Sequence, residues 1–167
     1  MSAQASEPLG AAHFSYASQV YFDELDPWHM LHNSRYAVHA ERANLAWYLE
    51  ITKGSYGPGA DSDQFIFQRH FEIDFSAPLV GPQTMWIDLW MTRFGRTSST
   101  YAFSCRNEDG SAVYARGQRT IVKIDPETRT TSPWSQSLRD AVAAWEAKIG
   151  GSATNAQSDD DALTPSA

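Results

Sequence analysis

The sequence is short of the features that mark several classes of protein. It has one cysteine, Cys105, in 167 residues, so no disulfide forms within the chain. No apolar run approaches the roughly 18 residues that a membrane-spanning helix needs. The first residues carry neither the basic stretch nor the apolar core of a secretory signal. A cytoplasmic protein without membrane contact is therefore expected. Excess positive charge is also missing, since the formal net charge is −7. Glu7, Asp159, Asp160 and Asp161 lie near the ends, and without them −3 remains. Non-specific nucleic-acid binding needs a basic face, so the charge argues against that partner class. There is no internal repeat, and no aromatic residue follows Trp145.

What is present fits one domain. Single cores commonly stop near ~100–200 residues, and 42% hydrophobic with 13% aromatic content supplies a sizeable one. Residues 1–12 read as a flexible lead, 13–149 as the folded unit, and 150–167 as an acidic tail too poor in apolar side chains to order itself. Nine of the 13 Lys and Arg lie from Arg93 onward. They make either a local anion site or ordinary solvated strand ends. Cys105 falls in an apolar alternating run, which favours a core position over a nucleophile.

The pattern of elements is α+β. Tyr16 to Phe22 reads as a strand, and an acidic loop with a proline runs from Asp23 to His32. A helix is predicted over about 34–52, with Asn33 or Ser34 as its N-cap and Gly54 as its stop. Tyr36, Ala40, Ala43 and Trp47 form one apolar stripe. Val38, Leu45 and Leu49 form a second, so the helix is expected to be enclosed on more than one side. Arg35, His39, Arg42 and Glu50 fall in the sector between. After a loop at 54–63, the period drops to two. Phe65, Phe67, Phe71, Ile73 and Phe75 share a face, interrupted at Arg69 by a bulge or a partner-facing position. Met85, Ile87, Leu89 and Met91 make another inward face, with Trp86 and Trp90 opposite as candidate interface residues. Strands follow at 97–105 and 112–124, then a short helix at about 135–149 carrying Leu138, Val142 and Trp145.

Two local patterns carry a resemblance. The first is Val20-Tyr-Phe-Asp-Glu-Leu-Asp26-Pro-Trp-His-Met-Leu-His-Asn-Ser-Arg-Tyr36, followed by Ala40-Glu-Arg-Ala43. The second is Ile73-Asp-Phe-Ser-Ala-Pro-Leu79, then Gly95-Arg-Thr-Ser-Ser99 and Ala115-Arg-Gly117. Together with the element order they resemble the hotdog fold, and within it the 4-hydroxybenzoyl-CoA thioesterase family. That resemblance implies a long central helix wrapped by a curved antiparallel sheet. It also implies an acyl-CoA thioesterase, with coenzyme A as part of the substrate and no separate cofactor. Asp26, His29 and His32 could also be read as Zn²⁺ ligands, but three in one short loop, with no further partner evident, argue against a metal site.

By the same resemblance, Asp26 attacks the thioester carbonyl or activates water, and amides at the start of the helix, around Asn33, hold the oxyanion. Helix N-termini concentrate free N–H donors and positive potential, which suits that role. His29, a catalytic candidate with His32, stands where many relatives have Gly. His32 orients a water or substrate, or caps the helix. Trp28, Tyr36, Arg93, Arg96, Ser98, Ser99 and Arg116 are the candidates for substrate and coenzyme A contact, and Trp28 with Met30 points to a small or medium apolar or aromatic acyl group. The partner implied is a second copy, in a homodimer joined sheet edge to sheet edge and paired again into a homotetramer. Other readings stay open at this level. An Asp before Pro also starts turns by bonding its own backbone, and Glu41 is a structural residue or, as in another branch, the working carboxylate. Enoyl-CoA hydration and non-catalytic acyl-CoA binding are the alternative functions.

Overall fold

The computed structural model describes residues 12–54 and 62–149. The lead at 1–11, most of the 54–63 loop and the tail from residue 150 lie outside the described residues. Five strands, β1 (Phe14–Gln19), β2 (Ile66–Phe75), β3 (Thr84–Phe94), β4 (Ser98–Arg106) and β5 (Val113–Lys123), make one sheet in the order β1-β3-β4-β5-β2. Every pairing is antiparallel. The long helix α1 (Asn33–Ile51) packs on one face, and α2 (Gln136–Ile149) follows the last strand.

Alternation puts the core together. Met85, Ile87, Leu89 and Met91 of β3 meet Tyr101, Phe103 and Cys105 of β4 on the inner face, all buried. Against them α1 lays Tyr36, His39, Ala40, Ala43, Asn44 and Trp47. Side chains at i, i+3 and i+4 share a helix face, so the Tyr36–Trp47 stripe is the buried one, as expected. The second stripe differs. Leu45 is 37% exposed, and Val38 and Leu49 are only half-buried. The sheet covers the Tyr36–Trp47 side of the helix fully, and the described residues cover the other side only in part.

Three further expectations are corrected. β1 ends at Gln19 because the chain then turns through a short 3-10 segment, Phe22–Glu24, leaving Tyr21 and Phe22 exposed. The N-cap of α1 is His32, whose Nδ1 accepts from the Ser34 amide at 3.3 Å; Asn33 and Ser34 are already helical. In β2 the register slips between Gln68 and His70. A bulge residue reverses the alternation, so Arg69 is the bulge. Ile66 then faces inward with Phe71 and Ile73, while Phe67 is 65% exposed on the opposite face. Gly54 stops α1 as expected, at φ +80 with its amide on the Leu49 carbonyl.

The close of the domain is polar at one point. Asp63, almost fully buried, accepts from Lys123 Nζ (2.9 Å), from the Ser135 amide (2.9 Å) and from the Ser135 hydroxyl. The Ser135 hydroxyl also accepts from the Leu138 amide at 3.1 Å, so the start of α2, the end of β5 and the segment before β2 are tied together. Among the described residues no helix is long and apolar enough to cross a membrane.

Candidate active site

Between the 3-10 turn and α1 the chain makes a small hairpin, closed by the Leu25–Leu31 bridge. The Asp26 amide donates to the Met30 carbonyl at 2.7 Å, and the His29 amide donates back to the Asp26 carbonyl at 3.0 Å. Pro27 presets the backbone for such a turn. His29 adopts φ +60, a left-handed conformation that costs a side-chain-bearing residue something and suits Gly. The backbone here thus has the shape that the usual Gly allows, reached with His instead. A second bridge, Met30 to Val80, and a bond from the Gly81 amide to the His29 carbonyl (2.8 Å) fasten the hairpin to the segment after β2.

Asp26 Oδ1 accepts from the Trp28 amide at 2.9 Å and the Met30 amide at 3.0 Å. The turn role and the placement of the carboxylate are therefore one arrangement. The carboxylate borders an open cleft of about 550 Å³. Its walls include Trp28 and Met30 of the hairpin, His32 and Asn33 at the amino end of α1, Tyr36 one turn on, and the Phe75–Pro78 segment. Trp28 stands on the rim, 76% exposed. Tyr36 is buried and packs edge-on against Phe75 at 5.2 Å. Burial pushes its phenol up to about 12, so it stays protonated.

Of the sequence candidates, Asp26, Trp28, His32, Asn33 and Tyr36 share this cleft. His29 is not on its wall; its ring lies 6.5 Å from that of Phe22. His32 is committed through Nδ1 to Ser34, both amide and hydroxyl (2.9 Å). Cys105 is fully buried, and burial pushes its thiol up to about 12, which leaves no thiolate for attack. Glu41 is bound to Arg119 Nη2 at 3.1 Å, with Arg119 also donating to the Tyr101 hydroxyl.

The coenzyme A candidates lie elsewhere. Ser98 and Val122 share a cross-strand row with Phe67, at the opposite end of β2 from Phe75. Eight residues of strand, about 25 Å at ~3.3 Å per residue, separate the two ends. Ser98 and Ser99 are buried, Arg93 is half-buried and Arg96 exposed. Ser99 borders a second cavity of about 230 Å³, shared with Glu41, Leu45, Tyr48, Ile66 and Trp134. Arg116 pairs in register with Asp74 and Ser104 on the outer face of the sheet. That face also carries Trp86, with the Arg106 guanidinium 5.7 Å from its ring centre, and Trp90. Among the described residues, no three His, Cys, Asp or Glu side chains converge to hold a metal ion.

The geometry is that of a carboxylate held at the mouth of a cleft beside a helix amino terminus, and the sequence profile of the thioesterase superfamily matches residues 29–114. The chain belongs to the thioesterase superfamily. As a member of that superfamily it is a thioester hydrolase. The matched segment begins three residues after Asp26, so the family match supports the fold around the cleft rather than the role of Asp26. No protein of curated function matches the sequence. Solved thioesterases share the architecture. A 1,4-dihydroxy-2-naphthoyl-CoA thioesterase from Synechocystis superposes with TM-score 0.66 at 18% identity, over 78% of this chain and 95% of that one. A Thermus thermophilus thioesterase complexed with coenzyme A and Zn gives 0.67 at 17% identity, over 83% and 98%. A DHNA-CoA thioesterase from Staphylococcus aureus gives 0.70 at 15% identity, over 82% and 93%.

In the sequence Phe75 to Pro78 stands out only as a motif, with nothing local to place it on the cleft. Glu24 gives no such signal, and Glu41 reads as structural without naming Arg119 of β5 as its partner. His39 reads as one of the polar residues of α1, yet it lies only about 70° from the centre of the apolar stripe at ~100° per residue. That angle was the available signal.

Proposed function

We propose that this thioesterase hydrolyses an acyl-CoA with a small or medium, apolar or aromatic acyl group, using Asp26 as nucleophile or general base. The observation that carries the reading is the Asp26 carboxylate, fixed by two amides at a cleft that opens on the first turn of α1. Acting as base, it takes a proton from water as the water oxygen bonds to the thioester carbonyl carbon. Collapse of the tetrahedral intermediate breaks the C–S bond, and the proton passes to the departing coenzyme A thiolate. The Asn33 amide is our choice for the oxyanion donor, because the Ser34 and Arg35 amides are already bonded to His32. A donor placed there stabilises the developing charge at no cost of reorganisation.

The rest of the site is supplied by a second copy. β2 is a ten-residue edge strand with Phe67 and Phe75 exposed, and an unguarded edge is a template for pairing. A twofold axis perpendicular to the sheet pairs β2 with its own copy antiparallel. The Phe75 end of one protomer then meets the Ile66 end of the other. Ser99, Arg96 and the 230 Å³ cavity of the partner come beside the Asp26 cleft, and the partly covered stripe of α1 gains a neighbour. Trp86 and Trp90 remain our candidates for a further sheet-to-sheet contact in a tetramer.

Thiol release from a panel of acyl-CoAs, read with Ellman's reagent, tests the substrate class. Benzoyl- and short-chain acyl-CoAs are expected to exceed palmitoyl-CoA in kcat/KM by at least about tenfold. The reverse order contradicts the acyl class. Hydration of crotonyl-CoA without thiol release contradicts the reaction.

A further inference from the structure

Beneath the hairpin lies a group of buried polar side chains that do not border the cleft: Ser18 of β1, Glu24 of the 3-10 turn and His39 of α1. His39 sits on the sheet-facing stripe, where an apolar side chain would pack without the cost of burying polar atoms. Ser18 Oγ is 2.7 Å from His39 Nδ1, and Arg42 Nη1 approaches the same nitrogen at 3.5 Å. A guanidinium only donates, so Nδ1 is the acceptor and the ring proton is on Nε2. Nε2 faces Glu24 Oε1 at 3.3 Å. At that distance the approach is a close electrostatic contact that falls short of a full hydrogen bond. Arg42 Nη1 reaches the same carboxylate oxygen at 3.4 Å, and the Tyr21 amide donates to Oε2 at 3.0 Å.

Glu24 in turn holds the hairpin. Its carbonyl accepts from the amide of His32, the cap of α1, at 3.0 Å. That bond closes the base of the loop two residues from Asp26. The loop that carries the carboxylate and the helix that carries the amides therefore share one buried anchor.

We propose that His39, acting through Glu24, is a positioning residue that fixes the Asp26 hairpin against the amino end of α1. The proposal rests on the reading of Asp26 as the reacting carboxylate. Neutral His39 suits it. The charged groups facing the ring are Glu24 from the turn and Arg42 and Arg35 from α1, while β1 offers Ser18, with the apolar Met85 of β3 opposite it. Burial is the largest single effect and lowers the proton affinity of the imidazole, Glu24 raises it, and the two guanidiniums lower it, so the net shift is downward from the ordinary value of 6.5. The unfolded chain then takes up this proton first as pH falls below 6.5, so the stability gained is full above that value and declines below it. In the folded chain the ring stays neutral until pH falls through its lowered pKa.

Three replacements separate the contacts. His39→Gln keeps a donor near the place of Nε2, His39→Asn keeps only the reach toward Ser18, and His39→Ala keeps neither. In His39→Ala and His39→Asn, kcat for thiol release is expected to fall about 10–100-fold with KM nearly unchanged, the effect of a small misplacement of a reacting group. His39→Gln is expected to recover most of that loss and to flatten the acid side of the rate–pH profile. Glu24→Gln should behave as His39→Asn does. Hydrogen exchange at the Trp28 and Met30 amides, which bond Asp26, needs no turnover. It should quicken in the Ala and Asn variants and not in Gln. Equal kcat in all three variants, or unchanged exchange in His39→Ala, overturns the proposal. Quickened exchange together with full activity in Asp26→Asn would instead overturn the reading of Asp26 and leave the anchor standing.

Discussion

At the scale of single residues, the site depends on backbone conformations that side chains have to tolerate. His29 accepts φ +60 so that the turn after Asp26 can close. His32 sits at φ −60, ψ 134, an extended conformation that turns its Nδ1 onto Ser34 and leaves Asn33 as the first helical residue. Both values bear on a clean test of the oxyanion donor. Proline is well accepted at the first helical position, and it demands an extended residue before it, which His32 already is. Asn33→Pro therefore removes one N–H and keeps the helix. It is expected to lower kcat by about 10²–10³ with little change in melting temperature. An Asn33→Pro enzyme with ordinary turnover would move the oxyanion donor elsewhere. The turn at Asp26 was legible, because an Asp-Pro pair ahead of a capped helix is a local pattern, whereas a reacting role for its carboxylate came only from the family resemblance. His39 was less so, since its partner Glu24 lies fifteen residues away and its burial depends on the sheet.

At the scale of elements, the strands show how close packing turns into a residue requirement. Gly117 of β5 lies under the ring of Phe103. A Cβ added there would come within 2.2 Å of the Glu72 carbonyl and 2.5 Å of the ring. Phe103 also stacks on Phe71 at 5.8 Å, so the ring cannot easily yield. Overpacking of this kind costs about 1–3 kcal/mol. Gly117→Ala is accordingly expected to lower stability by about 2 kcal/mol in denaturant unfolding, and an unchanged midpoint would show that β2 can shift freely. Alternation alone revealed the inner faces of β3 and β4. It failed at the start of β2, because a one-residue bulge at Arg69 exchanges the two faces and hydrophobicity on both sides hides it. Phe65 and Phe67 read as core for that reason. The second stripe of α1 read as buried because apolar character signals burial without saying which molecule provides the cover.

For the whole molecule, the latch of Asp63, Lys123 and Ser135 holds α2 to the sheet, and its chemistry predicts how the fold meets acid. Burial alone raises the Asp63 carboxyl, but the bonds from Ser135 and Lys123 outweigh it and hold it below its ordinary value of 3.8. A carboxyl lowered in the folded state stabilises fully above its unfolded value and loses that contribution as pH falls through the folded one. The gap in melting temperature between the natural chain and Asp63→Asn is thus expected to be steady near neutral pH and to shrink below about pH 4. A gap independent of pH would mean that the latch acts by shape alone. Element order and motif spacing disclosed the architecture of the molecule, whereas this latch joins positions 63, 123 and 135, too far apart in the chain for any local pattern to reveal.

Hydrolysis as proposed requires Asp26 to react, and one substitution tests that with least disturbance. Asp26→Asn keeps an oxygen to accept from the Trp28 and Met30 amides, so the hairpin should stand while the charge is lost. Thiol release from the best acyl-CoA substrate is expected to fall by at least about two orders of magnitude with KM little altered. Turnover by Asp26→Asn at close to the natural rate would contradict the account.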